Sequence, residues 1–394
     1  MRILTITNLF PSSNVPTAGV FIRERIKAVV ARGADVRVIA PVPYVPPGPV
    51  PARYRRIRAT PDAGEVDGVS VRYPRYLVIP KAGTRYQAWG YARGLRDVLR
   101  SEIEGFRPDI LDAHYLYPDA CGVARAAREF DIPYACTARG SDVHVLGCVP
   151  SVHRQIRAAL AGASAVIAVS RALATAMRDL KLFDGTVEVV PNGVDRSSFQ
   201  PRPRAEAREA LDLGGAGRFV VCVGHLAPVY RQELLLRALA HVDAPADLSV
   251  RFLGQGADRA RLEALALSLG VDERVVFEGT VPHDQIPVWF AASIGSVQLN
   301  RSAGSPNAVL ESVACGVPVL ASDIPAMREA LMAPEQGLFV EPRPEAVARG
   351  LARLAETATV PCGPVRSWDD VAGEILQHFE RALERRAPTG ARTQ

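Results

Sequence analysis

Two successive series of short apolar runs, each run parted from the next by a segment of helical spacing, constrain this chain more than any other feature. In the first series residues 3–6, 35–40, 110–113, 134–137, 165–169 and 187–190 are apolar and of strand length, and segments such as 20–30, 123–129 and 170–180 repeat at helical spacing between them. A second series follows the polar, proline-containing stretch 195–208. It places strand-like runs at 219–223, 248–253, 275–278, 295–299 and 318–321, with helical patterns such as 258–269 and 308–314 between. Strands that alternate with helices build βαβ units around a parallel sheet buried on both faces. At 394 residues the chain exceeds one core. The expected fold class is therefore α/β, with two Rossmann-like, doubly wound domains at residues 1–200 and 201–365. A final helix within 366–388 carries Val371, Ile375, Leu376, Phe379 and Leu383 on one stripe, which needs a surface to cover.

Composition removes several alternatives. Cys121, Cys136, Cys148, Cys222, Cys315 and Cys362 are scattered, without a C-x-x-C or paired histidines. This spacing suits packing residues in a reducing compartment, and neither a zinc site nor a disulfide framework. The start of the chain runs straight into a strand-like segment without the three regions of a secretory leader, and no apolar run approaches bilayer length. A cytoplasmic protein is expected. Charge is uneven: residues 1–200 carry 27 Lys+Arg against 18 Asp+Glu, a net of +9, whereas the rest carries 20 against 24. A basic first half suits either a solvated arginine-rich surface, the simpler reading of charge alone, or an anionic partner such as membrane lipid or a lipid-diphosphate acceptor at the inner membrane face. The proline-rich stretch 41–51 and basic residues 53–58 read as an exposed excursion from the first domain. No nucleic-acid motif accompanies the charge, and no nucleic acid is expected.

Open parallel sheets bind ligands beyond the carboxyl ends of their strands, where helix N-termini offer free N–H groups to anions. Four glycine-containing turns occupy such places: Gly19 before the 20–30 helix, Gly224 after run 219–223, Gly254-x-Gly256 after run 248–253, and Gly304-Ser305-Pro306-Asn307 before helix 308–314. Singly each is weak, since glycine also ends strands. Together they point to a phosphate-bearing ligand.

The segments Pro191-Asn192-Gly193-Val194-Asp195, Gly224-His225-Leu226, Phe252-Leu253-Gly254-x-Gly256 and Thr137-Ala138-Arg139-Gly140-Ser141-Asp142, with Ser305-Pro306-Asn307-x3-Glu311 and its continuation to Val319, resemble glycosyltransferase family 4 in order over residues 1–385. The resemblance is strongest to enzymes of bacterial cell-surface polysaccharide assembly. It implies the GT-B fold, two Rossmann-like domains facing across a cleft. It implies also a retaining, hexosyltransferase-type transfer from a nucleotide-diphosphate sugar, without a metal or other cofactor, to a glycan or lipid-linked acceptor. The first domain would hold the acceptor and the second the donor, with the final helix crossing back to the first.

Three positions depart from the family pattern. Where it has G-R-L-x-x-x-K-G, this chain reads Gly224-His225-Leu226-Ala227-Pro228-Val229-Tyr230-Arg231, so His225 and Tyr230 replace the Arg and Lys that face the diphosphate. Arg231 follows one position late, in place of a glycine; on a helix start one residue turns a side chain by about 100°. In the E-x7-E pair Glu311 is present, on the ribose side, but the first carboxylate is Ala303. Loss of a transition-state donor typically costs about 10²–10³ in rate, so a catalytically degenerate protein that binds nucleotide sugar, or partners an active transferase, is the alternative. The catalytic candidates are His114, by its place at a strand end, Arg139, whose position the resemblance turns toward the donor, and Arg231, as a replacement for the missing cation. The substrate-binding candidates are Gly19, Gly224, His225, Gly254, Gly256, Gly304, Ser305, Pro306 and Asn307 at the turns, and Glu311, which the resemblance places on the ribose. Asn192 and Asp195 are expected to shape turns and Tyr230 to pack, while Asp142 suits either a functional role or the orientation of its turn.

Overall fold

The computed structural model describes residues 1–79, 83–215, 217–331, 333–357, 363 and 365–386. The chain forms two compact units, residues 1–192 with the segment beginning at Trp368, and residues 193–367. The divisions thus fall at 192/193 and 367/368, where the sequence patterns place them at 200/201 and 365/366. The second part of the expected final helix, residues 387–388, lies outside the described residues.

In the N-terminal unit an eight-stranded sheet runs in the order Glu188–Val189, Ala165–Ala168, Tyr134–Ala138, Ile110–His114, Arg2–Ile6, Asp35–Ile39, Val69–Arg72, Ala63–Val66. All neighbours are parallel except the last pair, which is antiparallel. Strand side chains alternate between faces, and both faces are covered. Leu4, Ile6, Leu111 and Ala113 pack with Tyr91, Leu95 and Leu99 of the helix Gln87–Gly105. Ile3, Val36, Val38 and Ile110 pack with Ile22 and Ile26 of the helix Val20–Ala31 and with Ile375 and Phe379 of the final helix, Trp368–Arg386. The apolar stripe of that last helix therefore covers the first unit.

The C-terminal unit repeats the plan with six parallel strands, ordered Val275–Gly279, Leu248–Leu253, Arg218–Val223, Gly295–Gln298, Val319–Ser322, Gly337–Val340. Two apolar clusters, one containing Val220, Val250 and Phe252 and one containing Val221, Val319 and Phe290, lie on its two faces. Chain direction across each sheet reverses at one place. In the first unit this switch point lies between Arg2–Ile6 and Ile110–His114, and in the second between Arg218–Val223 and Gly295–Gln298. Open α/β sheets bind their ligands at such switch points, beyond the carboxyl ends of the strands.

Several elements depart from the sequence reading. Residues 52–58 form a helix, where an irregular excursion is expected. The helix Gln87–Gly105, in which Tyr91, Leu95, Leu99 and Ile103 repeat every four residues, and the strands Val69–Arg72, with its V-S-V-R alternation, and Gly337–Val340 are further elements beyond those expected. The 187–190 run pairs over only two residues, Glu188–Val189. Cys121, Cys136, Cys222 and Cys315 are buried and Cys148 is exposed, none of them in a disulfide among the described residues, and Cys362 lies outside those residues.

Candidate active site

At the switch point of the C-terminal unit three turns meet. Strand Arg218–Val223 ends on Gly224, whose φ of 144° belongs to glycine. The Gly224 N–H donates to the Leu253 carbonyl at 3.0 Å, and the Leu226 N–H to that of Gln255 at 3.0 Å. A Cβ on Gly254 would stand 2.0 Å from the Gly224 oxygen, and one on Gly256 2.0 Å from the Leu226 oxygen. Gly254 and Gly256 are thus required so that one turn can lie backbone to backbone on the other. Their place is beneath the 224–226 turn, supporting it.

The third turn is 299–304, which follows strand Gly295–Gln298. The Arg301 N–H donates to the Val229 carbonyl at 2.8 Å, which ties this turn to residues 228–231. Arg231 caps the helix Gln232–Leu239 with φ 52°, in the left-handed region. The glycine expected at this position would adopt that conformation freely, whereas a residue with a Cβ is strained there by about 1 kcal/mol. Burial lowers the Arg231 pKa, and the Arg301 charge lowers it further against a raising contribution from Glu233. The tie between the two turns therefore brings two arginines near enough for their charges to oppose each other, and among the described residues neither forms an ion pair with an acidic side chain. Like charges brought together at strand ends form a site made for an anion. His225 is exposed beside them and its carbonyl accepts from Gln232 Nε2 at 2.9 Å. Burial raises the Tyr230 pKa, as suits a packing residue.

Gly304, Ser305 and Pro306 lead into the helix Asn307–Ala314, which has neither a side-chain cap nor an acidic residue in its first turn. Its first N–H groups add a positive dipole end to the arginine pair. Glu311, one turn later, is only 14% exposed and pairs with His283 Nε2 at 3.0 Å. Ala303 packs on the apolar cluster of Val309 and Val313.

The switch point of the N-terminal unit carries a buried charged cluster. Asp112 and His114 lie two apart on strand Ile110–His114, hence on one face, and Asp112 Oδ2 is 2.8 Å from His114 Nε2. Arg25, on the inward side of helix Val20–Ala31, pairs with Asp112 at 3.5 Å and donates to Thr137 Oγ1 at 3.3 Å. Arg139, at the end of strand Tyr134–Ala138, donates to His114 Nδ1 through Nε at 3.2 Å and through Nη2, and to Asn192 Oδ1 at 3.0 Å. Burial, helped by Arg139 and Arg25 against Asp112, pushes the His114 pKa down to about 3. The ring is accordingly neutral, with its proton on Nε2 toward Asp112 and its Nδ1 lone pair toward Arg139. Burial raises Asp112, but His114, Arg25 and Arg139 together outweigh it and hold the carboxyl below its usual range. Burial and Arg25 lower Arg139 to about 9, so it remains a cation. His114 is wholly buried with both ring nitrogens engaged, so it has no free lone pair for a substrate and acts by placing Arg139.

Gly19, φ 58°, starts helix Val20–Ala31 with no side-chain cap. A Cβ there would stand 1.9 Å from the Leu9 oxygen, so both conformation and space demand glycine. The Asp142 carboxylate accepts from the N–H groups of Leu116, Arg139 and Gly140 at 2.6–3.1 Å, and orients the turn that carries Arg139.

Sequence reasoning passes over Arg25, Asp112, His283 and Arg301. Two of them leave a local trace: polar residues two apart in an otherwise apolar buried strand, and an arginine three residues from Ile22 on the apolar side of its helix. His283 and Arg301 leave none, because their partners are distant in sequence.

Comparison with known proteins agrees with this arrangement. The family described as Glycosyltransferase Family 4 matches residues 18–198, and that described as Glycosyl transferases group 1 matches residues 203–359. A putative teichuronic acid biosynthesis glycosyltransferase of Bacillus subtilis, TuaC, is 28% identical over 361 residues, 90% of this chain and 89% of that protein. A D-inositol 3-phosphate glycosyltransferase of Frankia alni is 28% identical over 73% of this chain and 78% of that protein. Among solved structures, sucrose-phosphate synthase from Thermosynechococcus elongatus superposes with a TM-score of 0.79 at 19% identity, covering 98% of this chain and all of that one. Anabaena HepE, solved with UDP and glucose, gives 0.69 at 18% identity, covering 96% and 99% of the two chains. With a switch point on each of two doubly wound sheets and both family matches in order along it, the chain belongs to glycosyltransferase family 4 and has the GT-B fold.

Proposed function

We propose that the protein transfers a hexose from a nucleoside-diphosphate donor, held by the C-terminal unit, to a glycan or lipid-linked acceptor in cell-surface polysaccharide assembly, with retention at the anomeric carbon. The observation that carries this reading is the hydrogen bond from the Arg301 N–H to the Val229 carbonyl, which brings the turns of Arg231 and Arg301 together at the switch point. As the bond from the anomeric carbon to the diphosphate breaks, negative charge grows on the leaving group. Two fixed cations and the N–H groups opening the Asn307–Ala314 helix would stabilise it without a metal or other cofactor. Arg231 and Arg301 thus take over from the missing Arg and Lys of the family pattern. Glu311 would accept from the ribose hydroxyls, held in place by His283. Arg139, aligned by His114, Asn192 and the Asp142 turn, would meet an anionic or hydroxyl-rich part of a substrate. The relative in teichuronic acid biosynthesis and the complex of HepE with UDP-glucose support the donor and product classes. A working place at the cytoplasmic membrane face follows from the acceptor class.

Calorimetric titration with nucleoside diphosphates and their sugars tests the donor site. Arg231→Ala and Arg301→Ala should each weaken binding about tenfold or more, the weight of a charge-assisted contact. Unchanged affinity in both variants would remove the arginine pair from the proposal. Ala303, His225 and Tyr230 favour a second reading, a binding protein without turnover. Donor binding with neither hydrolysis nor transfer across a donor panel would select it.

A further inference from the structure

Six of the exposed large apolar side chains fall between residues 44 and 89 of the N-terminal unit: Tyr44, Tyr54, Leu77, Ile79, Tyr86 and Trp89. Trp89 is 54% and Leu77 53% open to water. Backbone contacts bring five of them together. The Tyr44 N–H donates to the Tyr76 carbonyl at 2.8 Å, which sets Tyr44 beside Leu77. The Leu77 carbonyl lies 2.4 Å from where a Cβ on Gly90 would stand, so this segment rests on the helix Gln87–Gly105 next to Trp89. Ile79 Cβ is 3.5 Å from the corresponding point at Gly83, just ahead of Tyr86. Tyr86, Trp89 and Arg93 follow at spacings of three and four, on one exposed helix face. A soluble surface rarely leaves so many large apolar groups contiguous unless it binds something.

The surrounding charge indicates what it binds. Neither residues 36–61 nor residues 68–96 contain an Asp or Glu. Arg55 and Arg58 donate to main-chain carbonyls of residues 46–50. Arg85 lies over the Tyr86 ring at 4.6 Å. Among the described residues, these three, Arg56 and Arg93 have no carboxylate partner. An apolar patch with Trp and Tyr, edged by unpaired arginines, has the chemistry of a bilayer interface: aromatic rings at headgroup depth, aliphatic groups below, guanidinium groups on phosphates. A soluble polyanion would use the arginines and could stack on the rings, but would leave Leu77 and Ile79 in water. We propose that this face docks the protein on an anionic lipid bilayer, with Leu77, Ile79, Tyr86 and Trp89 inserted and Arg55, Arg56, Arg58, Arg85 and Arg93 on the headgroups.

Flotation of the full-length protein with vesicles tests the assignment. It should rise with phosphatidylcholine–phosphatidylglycerol vesicles and stay behind with phosphatidylcholine alone. Trp289 and Trp368 are more than nine-tenths buried, so Trp89 dominates any change in emission, which should shift to the blue on binding and be quenched by brominated lipid. Trp89→Ala should weaken binding about tenfold, the weight of one large side chain taken from water. Replacing Arg55, Arg56 and Arg58 together by Ala should weaken it on the order of 100-fold, at roughly 1 kcal/mol per charge. These side chains are exposed, so melting temperatures should stay near that of the parent. Should one variant melt early, the other and the emission shift still decide. No flotation with anionic vesicles, or flotation with Trp89 emission unmoved, would overturn the proposal. Retention of an RNA or acidic polysaccharide by a protein that ignores the vesicles would also overturn it, and would assign the face to a soluble polyanion.

Discussion

Arg231 shows how a single residue can set local stability against site chemistry. Its left-handed backbone is one that glycine adopts at no cost, and its charge is opposed by Arg301. Arg231→Gly should therefore leave the melting temperature unchanged or raise it, while nucleoside-diphosphate affinity falls about tenfold. Scanning calorimetry and titration on the same sample check both, and a lower melting temperature would show that the arginine serves the fold. Asp119 offers a second residue-scale test. It is wholly buried and accepts from Tyr91 Oη at 2.6 Å, and burial, opposed by that bond and the Asn8 N–H, raises its pKa to about 8. Between about pH 4, where the unfolded carboxyl ionises, and pH 8 the folded chain keeps a proton that the unfolded chain has lost. Stability from this group therefore falls as pH rises through that window. His114 acts oppositely: with its folded pKa lowered to about 3, stability is lost as pH falls from about 6.5. The difference between parent and Asp119→Asn isolates the first effect. Urea midpoints should show the variant gaining on the parent from pH 5 to pH 8.

At the scale of elements, the final helix Trp368–Arg386 joins stability to the site. Its Ile375 and Phe379, with Ile3, Ile26, Val29 and Val36, surround the buried Arg25–Asp112 pair, leaving a void of only about 10 Å³. Such a space holds at most one water, so bulk solvent is excluded and the field of the pair reaches His114 and Arg139 little screened. Phe379→Ala should cost about 3–5 kcal/mol, read from denaturant midpoints. It should also admit water to the ion pair. The Trp368–Arg386 stripe could be recognised from spacing alone, as could most strands and the helix Val20–Ala31. The helices Ala52–Arg58 and Gln87–Gly105 are less legible. In the first, proline and a run of arginines mask the spacing. In the second, Tyr91, Leu95, Leu99 and Ile103 keep helical spacing, but Trp89 faces water while Gly90 and Gly94 lie against residues 75–77, which blurs the edge of the apolar face.

For the whole molecule, two units with separate cores should respond separately to ligand. A nucleoside diphosphate at 100 times its dissociation constant stabilises the structure that binds it by about 2.7 kcal/mol. Hydrogen exchange should show added protection across residues 193–367, and across Gly224–Leu226 and residues 299–311 in particular. Protection confined to residues 1–192 would place the nucleotide on the other unit. Among the described residues no helix is long and apolar enough to cross a membrane.

The sequence alone determined the class of fold, because the alternation of apolar runs and helical spacing is local and survives without tertiary context. It determined also which turns need glycine, and it exposed the departures at His225, Tyr230 and Ala303, since these are identities at single positions. Tertiary structure decided what each residue does. Gly254 and Gly256 proved to support a neighbouring turn, His114 to hold Arg139, and Arg301 to stand beside Arg231. Each outcome depends on groups brought together across long sequence separations by the parallel strand order, a distance that no local pattern encodes.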